Sequence, residues 1–277
     1  MEYVITINDK KINNKWFEKC DNFLIGLKGY SLYMTNTYEK EEFEEIVKLL
    51  HLKEKKVFVK IDKLFLSHEI VELEKTLNFL SNLKIDYVIF DDMAILNLNE
   101  KYNLNLIWGS NHFVVNHKSC NVYYELGVLK SLISPEITLD EILEINTKYK
   151  GDLIVPIFGY NHMFSSKRKL LTSYYDHIGK KINNKFHTIN EDRNDKMYKI
   201  YENENGTHIL ADFCLYDFES FKKLKTNVKY GYLDFSFFED EEALKIFESF
   251  KKEEKLTDKR FKDGFFNTET IFKVKRK

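Results

Sequence analysis

Residues 56–92, KVFVKIDKLFLSHEIVELEKTLNFLSNLKIDYVIFDD, decide the fold class. Two short apolar runs, Val57–Ile61 and Tyr87–Phe90, have the β-branched and aromatic composition of strands that are buried on both faces. Between them, Glu69–Leu83 carries apolar residues at i, i+3, i+4 and i+7, which is the spacing of an amphipathic helix. A strand, a helix and a second strand in this order predict a βαβ unit and therefore a parallel sheet.

The same alternation continues on both sides of this unit. Eight runs are typical of strands: Tyr3–Ile7, Phe23–Leu27, Val57–Ile61, Tyr87–Phe90, Leu104–Trp108, Val128–Ile133, Leu153–Ile157 and Lys229–Phe235. The helices that the periodicity predicts are Glu41–Leu50, Glu69–Leu83, Lys118–Leu126, Leu139–Tyr149 and Glu239–Glu253. A chain of 277 residues has the length of a TIM-type (β/α)8 barrel. We therefore predict one α/β domain of this kind over residues 1–277.

Local signals predict several helix ends. Ser67 is a candidate N-cap for Glu69–Leu83, and Thr138 with Glu141 forms a capping-box pattern. Gly127 follows a helical stretch, where a left-handed C-terminal turn is expected.

The alternation breaks between the seventh and eighth strands. Phe186–Ile189, Met197–Tyr201 and Thr207–Leu210 resemble short strands, so we predict a small β insertion over residues 176–210 and an irregular barrel. Thr270–Lys275 alternates apolar and basic residues and is a candidate for one more edge strand.

Composition limits the compartment and the partners. Three widely spaced cysteines, the lack of a signal peptide and the lack of a long apolar run favour a reducing, cytoplasmic location without a membrane partner. The net charge is -1, from 43 basic and 44 acidic residues, so nucleic-acid binding would need a local basic patch.

Polar residues follow nearly every predicted strand, where TIM barrels carry their active sites. The candidate catalytic residues are Asp62, Glu136, His162 and Arg168, and the candidate ligand-binding residues are Lys28, Asn111, Asn161, Ser166 and Arg168. The alternative is that these residues are polar because βα loops are exposed and their side chains cap helices, above all Asp92 and Ser110.

One segment, Gly159–Tyr175, is unusually rich in such residues, and we interpret it as a loop. It contains His162, Ser165, Ser166 and the run Lys167–Lys169, a composition that suits an anionic ligand such as a carboxylate or a phosphate. The alternative is a surface loop with solvated lysines. No common hydrolase, metalloprotease or nucleotide-binding motif is present, and Cys214 lies in an apolar run, where a cysteine is more often buried than nucleophilic.

Six segments in the same order resemble the peptidase U32, or collagenase-like, family over nearly the whole chain. They are Phe23–Gly29, Lys56–Asp62, Asp86–Asp92, Leu126–Glu141, Ile157–Tyr174 and Ala211–Leu215. Many members of this family bind a [4Fe–4S] cluster through four cysteines. At two of those positions this chain has His162 and Lys169, the third falls in the insertion, which has no cysteine, and only Cys214 is retained. Since a cluster normally needs four thiolates, we predict no such cofactor and no metal.

The resemblance also implies a function. Known members take part in hydroxylations of tRNA wobble uridine, of a ribosomal RNA base and of the ubiquinone ring, some of them prephenate-linked, and often act as pairs of related chains. Asn205–Ile209 is similar to a short, cysteine-poor subgroup from low-GC Gram-positive bacteria. The expected activity is therefore hydroxylation of tRNA wobble uridine with a longer, cysteine-bearing paralogue, with prephenate or a similar small carboxylate as ligand. The alternatives are a peptidase, as the family name says, and a non-catalytic scaffold subunit, in partnership with the paralogue or with itself.

Overall fold

A ring of eight parallel strands closes on itself in the computed structural model, which describes residues 1–182, 186–190 and 196–268. In chain order the barrel strands are β1 (Glu2–Thr6), β2 (Asn22–Leu27), β3 (Lys56–Ile61), β4 (Tyr87–Phe90), β5 (Leu106–Trp108), β6 (Lys130–Leu132), β7 (Asp152–Phe158) and β8 (Tyr230–Asp234). Strand β1 pairs in parallel with both β2 and β8, which closes the barrel. The predicted TIM-type barrel is confirmed, because each of the eight predicted strands matches one of these within two residues at either end.

Helices surround the barrel, except for the seventh, which packs against the sheet inserted between β7 and β8. They are α1 (Asn14–Lys19), α2 (Lys40–Leu52), α3 (Ile70–Asn82), α4 (Met93–Leu98), α5 (His117–Glu125), α6 (Leu139–Lys148), α7 (Leu170–His177), α8 (Phe218–Asn227) and α9 (Asp240–Lys252). Two 3₁₀ turns, Ser67–Glu69 and Asn99–Lys101, precede α3 and follow α4. None of the helices in the described parts of the chain combines the length and the apolar character that a bilayer crossing needs.

Two of the predicted helix ends are confirmed. Thr138 and Glu141 form the capping box at the start of α6, and Gly127 has φ +88° after α5. The predicted N-cap at Ser67 is wrong, because Ser67 begins the 3₁₀ turn and does not cap α3. There the Glu69 carboxylate accepts the Leu66 N–H at 2.8 Å, so the turn is capped one residue earlier.

An apolar plug fills the barrel interior. Its buried members include one residue from each strand: Val4, Leu24, Phe58, Ile89, Ile107, Leu132, Ile154 and Tyr230. Because side chains alternate along a strand, the residue two positions further on also faces the interior, nearer the carboxyl ends of the strands. The plug therefore closes the barrel below, and any site must lie in the layers above it.

The insertion between β7 and β8 is larger than the predicted 176–210. It is a four-stranded antiparallel sheet whose strands lie in the order Phe186–Asn190, Met197–Asn203, Gly206–Leu210 and His162–Ser166. We call this the insertion sheet. The three predicted strands are present, but the fourth strand and helix α7 come from the segment that was expected to be a loop.

Three short pieces complete the described strands. Thr37–Tyr38 pairs with β2, and Cys214–Leu215 pairs in parallel with Phe261–Lys262. The predicted edge strand Thr270–Lys275 lies outside the described residues.

Candidate functional site

A polar layer lies directly above the plug. Counting two residues beyond the plug positions on β1, β3 and β8 places Thr6, Lys60 and Tyr232 in this layer. The hydroxyl groups of Thr6 and Tyr232 lie 3.1 Å apart, within hydrogen-bond distance. On β5 the equivalent residue is Gly109, where no side chain fits because a Cβ would lie 2.3 Å from Ile89 Cγ2. The barrel mouth therefore has a polar floor.

Lys60 and Asp62 form a buried ion pair on this floor. The Lys60 Nζ lies 3.3 Å from Asp62 Oδ2, and the two residues are only 9% and 2% exposed. Asp62 Oδ1 accepts the backbone N–H of Leu32 at 2.5 Å, whereas Oδ2 makes no hydrogen bond within the described residues. The pair thus places an ammonium group at the cavity, held by a carboxylate oxygen whose only described partner is that ammonium.

Two further carboxyl groups border the mouth. Burial raises the pKa of Asp234, which accepts the backbone N–H of Ser236 at 2.9 Å. Burial also raises the pKa of Asp91, and a side-chain hydrogen bond from Ser110 partly opposes this shift. Ser110 is therefore a partner of Asp91 rather than a helix cap, while Asp92 does cap α4 by accepting the Ala94 N–H at 2.8 Å.

The insertion sheet forms an aromatic roof over the mouth. The ring of His162 lies 4.2 Å from that of Tyr33, which comes from the loop after β2, and 5.8 Å from that of His208. Tyr201 stacks on His208 at 4.9 Å and donates its hydroxyl to the carbonyl of Tyr33 at 3.2 Å. Asn203 donates to the Leu32 carbonyl at 3.2 Å, and the Glu204 carboxylate accepts the Gly29 N–H at 3.3 Å, so the sheet is hydrogen-bonded to this loop at several points.

Both roof histidines are neutral at pH 7. Burial, with smaller effects from the charges of His208 and Lys60, lowers the pKa of His162 to about 3. Burial likewise lowers the pKa of His208. The nearby backbone of Phe164 slightly favours the charged form of His162, yet neither ring nitrogen of His162 makes a hydrogen bond within the described chain. His208 uses Nε2, 3.1 Å from Asn203 Oδ1, and keeps Nδ1 free of a hydrogen-bond partner there.

A cavity of about 70 Å³ separates the floor from the roof. Its polar lining is Lys60, Asn111, Asn161, His162, Tyr232, Asp234 and Ser236. A space of this size holds a few water molecules. The structure therefore brings Asn111, Asn161 and His162 of the expected site together with Asp62, next to the cavity-lining Lys60.

Four expected site residues lie elsewhere. Lys28 is exposed and paired with Glu39, and Glu136 is exposed with its carboxylate 3.1 Å from His112. Ser166 is the last residue of the strand that begins at His162, and Arg168 lies beyond it. Ser166 Oγ accepts the backbone N–H of Arg168 at 3.2 Å. The segment that was expected to gather these residues in one loop is a strand, which carries them away from His162.

The first turn of α7 does not offer a free anion site either. Its N–H groups of Leu171 and Thr172 donate to the Glu202 carboxylate at 3.0 and 3.2 Å. The chain's own carboxylate thus occupies the position that an anionic ligand would take.

Sequence reasoning missed Lys60, Tyr33 and His208. A lysine inside the apolar strand Lys56–Ile61 was a usable signal, because the alternation places it on one face with Phe58. Tyr33 and His208 carried no comparable signal, since their position depends on the insertion sheet lying over the mouth.

The donor set does not fit a [4Fe–4S] cluster. His162 lies in the roof, Lys169 is exposed at the start of α7, and Cys214 is fully buried, where burial raises the pKa of its thiol. The other two cysteines, Cys20 and Cys120, are buried beside α1 and in α5. In the described part of the chain, no group of three or more His, Cys, Asp or Glu residues is placed to hold a metal ion.

Comparison with known proteins gives one family and two curated relatives. The family described as Peptidase family U32 matches residues 8–235. A Bacillus subtilis (strain 168) protein named tRNA hydroxylation protein P2 is 29% identical over 205 residues, which cover 70% of this chain and 66% of that protein. The Methanocaldococcus jannaschii protein named Uncharacterized protease MJ0090 is 25% identical over 227 residues, which cover 73% of this chain and 54% of that protein. The chain thus spans just under two thirds of one relative and about half of the other.

Solved structures share the fold. The U32 peptidase Mk0906 superposes with a TM-score of 0.52 at 14% identity, over 84% of this chain and 92% of its own. A protein from Aquifex aeolicus VF5 gives a TM-score of 0.51 at 9% identity, over 91% and 90%. At these identities the likeness concerns the fold alone.

Proposed function

The chain belongs to peptidase family U32, and on that premise we propose that it takes part in prephenate-dependent hydroxylation of the wobble uridine of tRNA, together with a longer, cysteine-bearing paralogue. The observation that carries the proposal is the similarity to the B. subtilis tRNA hydroxylation protein over most of this chain. We include the paralogue in the proposal because the donor set of this chain does not fit the iron–sulfur cluster that the family resemblance implies.

The mouth has the chemistry that a small carboxylate ligand requires. The Lys60 ammonium can donate to a carboxylate, and charge-assisted hydrogen bonds of this kind are stronger than neutral ones. The neutral ring of His162, which lines the cavity, keeps a nitrogen that can accept from a ligand hydroxyl. A ligand with both groups, such as prephenate, would therefore find complementary partners on the floor and in the roof.

Binding of such a ligand requires the roof to move. Pockets that enclose small organic ligands usually measure about 300 Å³ or more, whereas the closed mouth has about 70 Å³. The bonds from Tyr201 and Asn203 to the loop after β2 hold the mouth closed. We expect these bonds to break when the ligand enters and to re-form over it, which would exclude water.

The test is nucleoside mass spectrometry of tRNA from a strain that lacks the gene. Deletion should remove the hydroxylated wobble uridine, and the wild-type gene should restore it. A Lys60→Met gene should fail to restore it, because the ligand loses its cation. The matched control is Lys130→Met. Lys130 lies on β6, and its Nζ is 3.5 Å from Asp152 Oδ2. If the deletion strain keeps all hydroxylated uridine, the proposal is wrong.

A peptidase is the second candidate, since the family description and the name of the archaeal relative both favour it. Burial raises the pKa of the Cys214 thiol, which argues against this cysteine as a nucleophile at neutral pH. The measurement is peptide hydrolysis by the purified chain and by its Cys214→Ala variant. Equal hydrolysis by both would remove cysteine from the mechanism, and no hydrolysis by either would remove this candidate.

The same complementation experiment distinguishes a scaffold role from a ligand-binding role. A subunit that only holds the paralogue should co-purify with it and restore the modification even as a Lys60→Met or His162→Gln variant. Loss of the modification with retained co-purification supports a ligand-binding role instead.

A further inference from the structure

The run Lys167–Lys169 forms an exposed basic turn that the barrel mouth does not use. It joins the insertion strand His162–Ser166 to helix α7, and all three side chains, those of Lys167, Arg168 and Lys169, are exposed. Most described salt bridges pair a lysine with a nearby carboxylate, but none involves this turn. Three adjacent positive charges therefore remain uncompensated within the described chain.

The backbone of the basic turn is held in place. Thr207 Oγ1 donates to the Arg168 carbonyl at 2.8 Å and accepts the Leu170 N–H at 2.9 Å. Gly206 packs so closely below the turn that a Cβ there would lie 2.0 Å from the Ser166 carbonyl oxygen. The cationic side chains thus project from a fixed base, which lowers the entropy lost when they bind.

Apolar side chains lie exposed in the same part of the chain. Met163 and Phe164 on the strand and Tyr174 on α7 are 49%, 51% and 58% exposed. The nearby Glu202 does not neutralise the turn, because its carboxylate accepts hydrogen bonds from α7 and from Thr172. Cations combined with exposed aromatic rings are typical of surfaces that bind single-stranded or looped RNA.

The distance to the mouth decides which part of an RNA this surface can reach. His162 lines the cavity and Ser166 ends the same strand, so at about 3.3 Å per residue the turn begins about 13 Å from the cavity. Groups on the turn cannot touch a base that is held in the mouth. They can reach phosphates further along the same strand.

We propose that the basic turn Lys167–Lys169 binds the phosphate backbone of the RNA substrate away from the target nucleotide. The inference rests on the proposed function for the identity of the RNA. The turn contributes to affinity and to its salt dependence, and it takes no part in the chemical step.

The experiment measures binding of a labelled anticodon stem-loop RNA to the purified chain by fluorescence anisotropy between 50 and 200 mM salt, about the range over which phosphate contacts change affinity most. The test variant is Lys167→Ala/Arg168→Ala/Lys169→Ala. The matched control is Lys118→Ala/Lys223→Ala/Lys245→Ala, which removes three exposed lysines, from α5, α8 and α9, that also lack an ion pair in the described structure. Circular dichroism checks that both variants are folded.

The test variant should bind at least about tenfold more weakly at low salt, and the slope of log K against log salt should fall by about 2, because each phosphate contact contributes about 0.7. The control should keep the wild-type affinity and slope. Equal binding by the wild type and the test variant overturns the inference but leaves the proposed function standing. RNA binding that depends on the turn, in a chain whose deletion leaves wobble uridine unchanged, overturns the proposed function alone. If the test variant binds RNA normally but no longer co-elutes with the paralogue, the turn docks an acidic protein surface and the inference is wrong.

Discussion

The ammonium group of Lys60 lies 3.3 Å from Asp62 Oδ2, on the floor of the barrel mouth, where both residues are buried. Lys60→Met leaves the Asp62 carboxylate buried without its cation and should lower the free energy of unfolding by about 3–5 kcal/mol. Urea denaturation measures the change. The double variant Lys60→Met/Asp62→Asn should lose less than the sum of the two single changes, because no unpaired charge remains. If the losses of the two single variants add up in the double variant, Lys60 and Asp62 are not energetically coupled.

The neutral His162 should make the protein sensitive to acid. The unfolded imidazole titrates near 6.5, whereas the pKa of folded His162 is about 3, so the unfolded state takes up the proton first. The stability that comes from the neutral ring is therefore complete above about pH 6.5 and is lost as the pH falls toward 3, with a slope of at most about 1.4 kcal/mol per pH unit.

The measurement compares urea unfolding of the wild type and of His162→Gln between pH 7 and about pH 5, above the usual pKa of most carboxylates. The free energy of unfolding of the variant should fall less steeply as the pH decreases. His208, whose lowered pKa acts in the same direction, and Asp91 and Asp234, whose raised pKa values act in the opposite direction, are present in both proteins and cancel in the comparison. Parallel profiles would refute the assignment to His162.

Gly206 should tolerate no side chain. Its φ of +131° already excludes most L residues, and a Cβ would collide with the Ser166 carbonyl. Gly206→Ala should therefore cost at least about 3 kcal/mol and expose the insertion sheet to limited proteolysis. Gly179→Ala is the control, because its φ is +66° and no atom lies within 4 Å of the added Cβ, so the cost should stay at about 1–2 kcal/mol. Equal costs would show that the close approach to Ser166 does not matter.

The three cysteines should be unreactive in the folded protein. Burial raises the pKa of Cys20 to about 12 and of Cys120 to about 11, and it also raises that of Cys214. Since the thiolate is the reacting form, a thiol reagent at pH 8 should label all three only after unfolding in urea. Rapid labelling of native Cys214 would reopen the case for a cysteine nucleophile.

The sequence predicted the barrel well because its strands are buried on both faces. Runs such as Val57–Ile61 are apolar at nearly every position, and they alternate with helices of clear periodicity. The strand His162–Ser166 escaped prediction for the opposite reason. Its HMFSS composition has no apolar alternation, and it is extended because it pairs with Gly206–Leu210, a partner that local sequence does not specify.

The candidate site was predicted only where a polar residue directly follows a barrel strand. Asp62 satisfies this rule after β3, and Asn111 and Asn161, close behind β5 and β7, line the cavity. Arg168 does not satisfy it, because the strand that separates it from the mouth was not foreseen. The roof could not be predicted, because it depends on how the insertion sheet folds back over the barrel, and local sequence does not specify such long-range contacts.

Closure of the barrel also depends on β8, a strand that the ribosome synthesises late. Strand β1 aligns with β8 along its whole length, from Glu2 to Thr6, but with β2 at only two positions. Until β8 emerges from the exit tunnel, one edge of β1 stays without its partner while the rest of the sheet is already available. That open edge is a template for pairing with another chain. Nascent chains truncated before Tyr230 should therefore recruit chaperones more than chains that include Asp234.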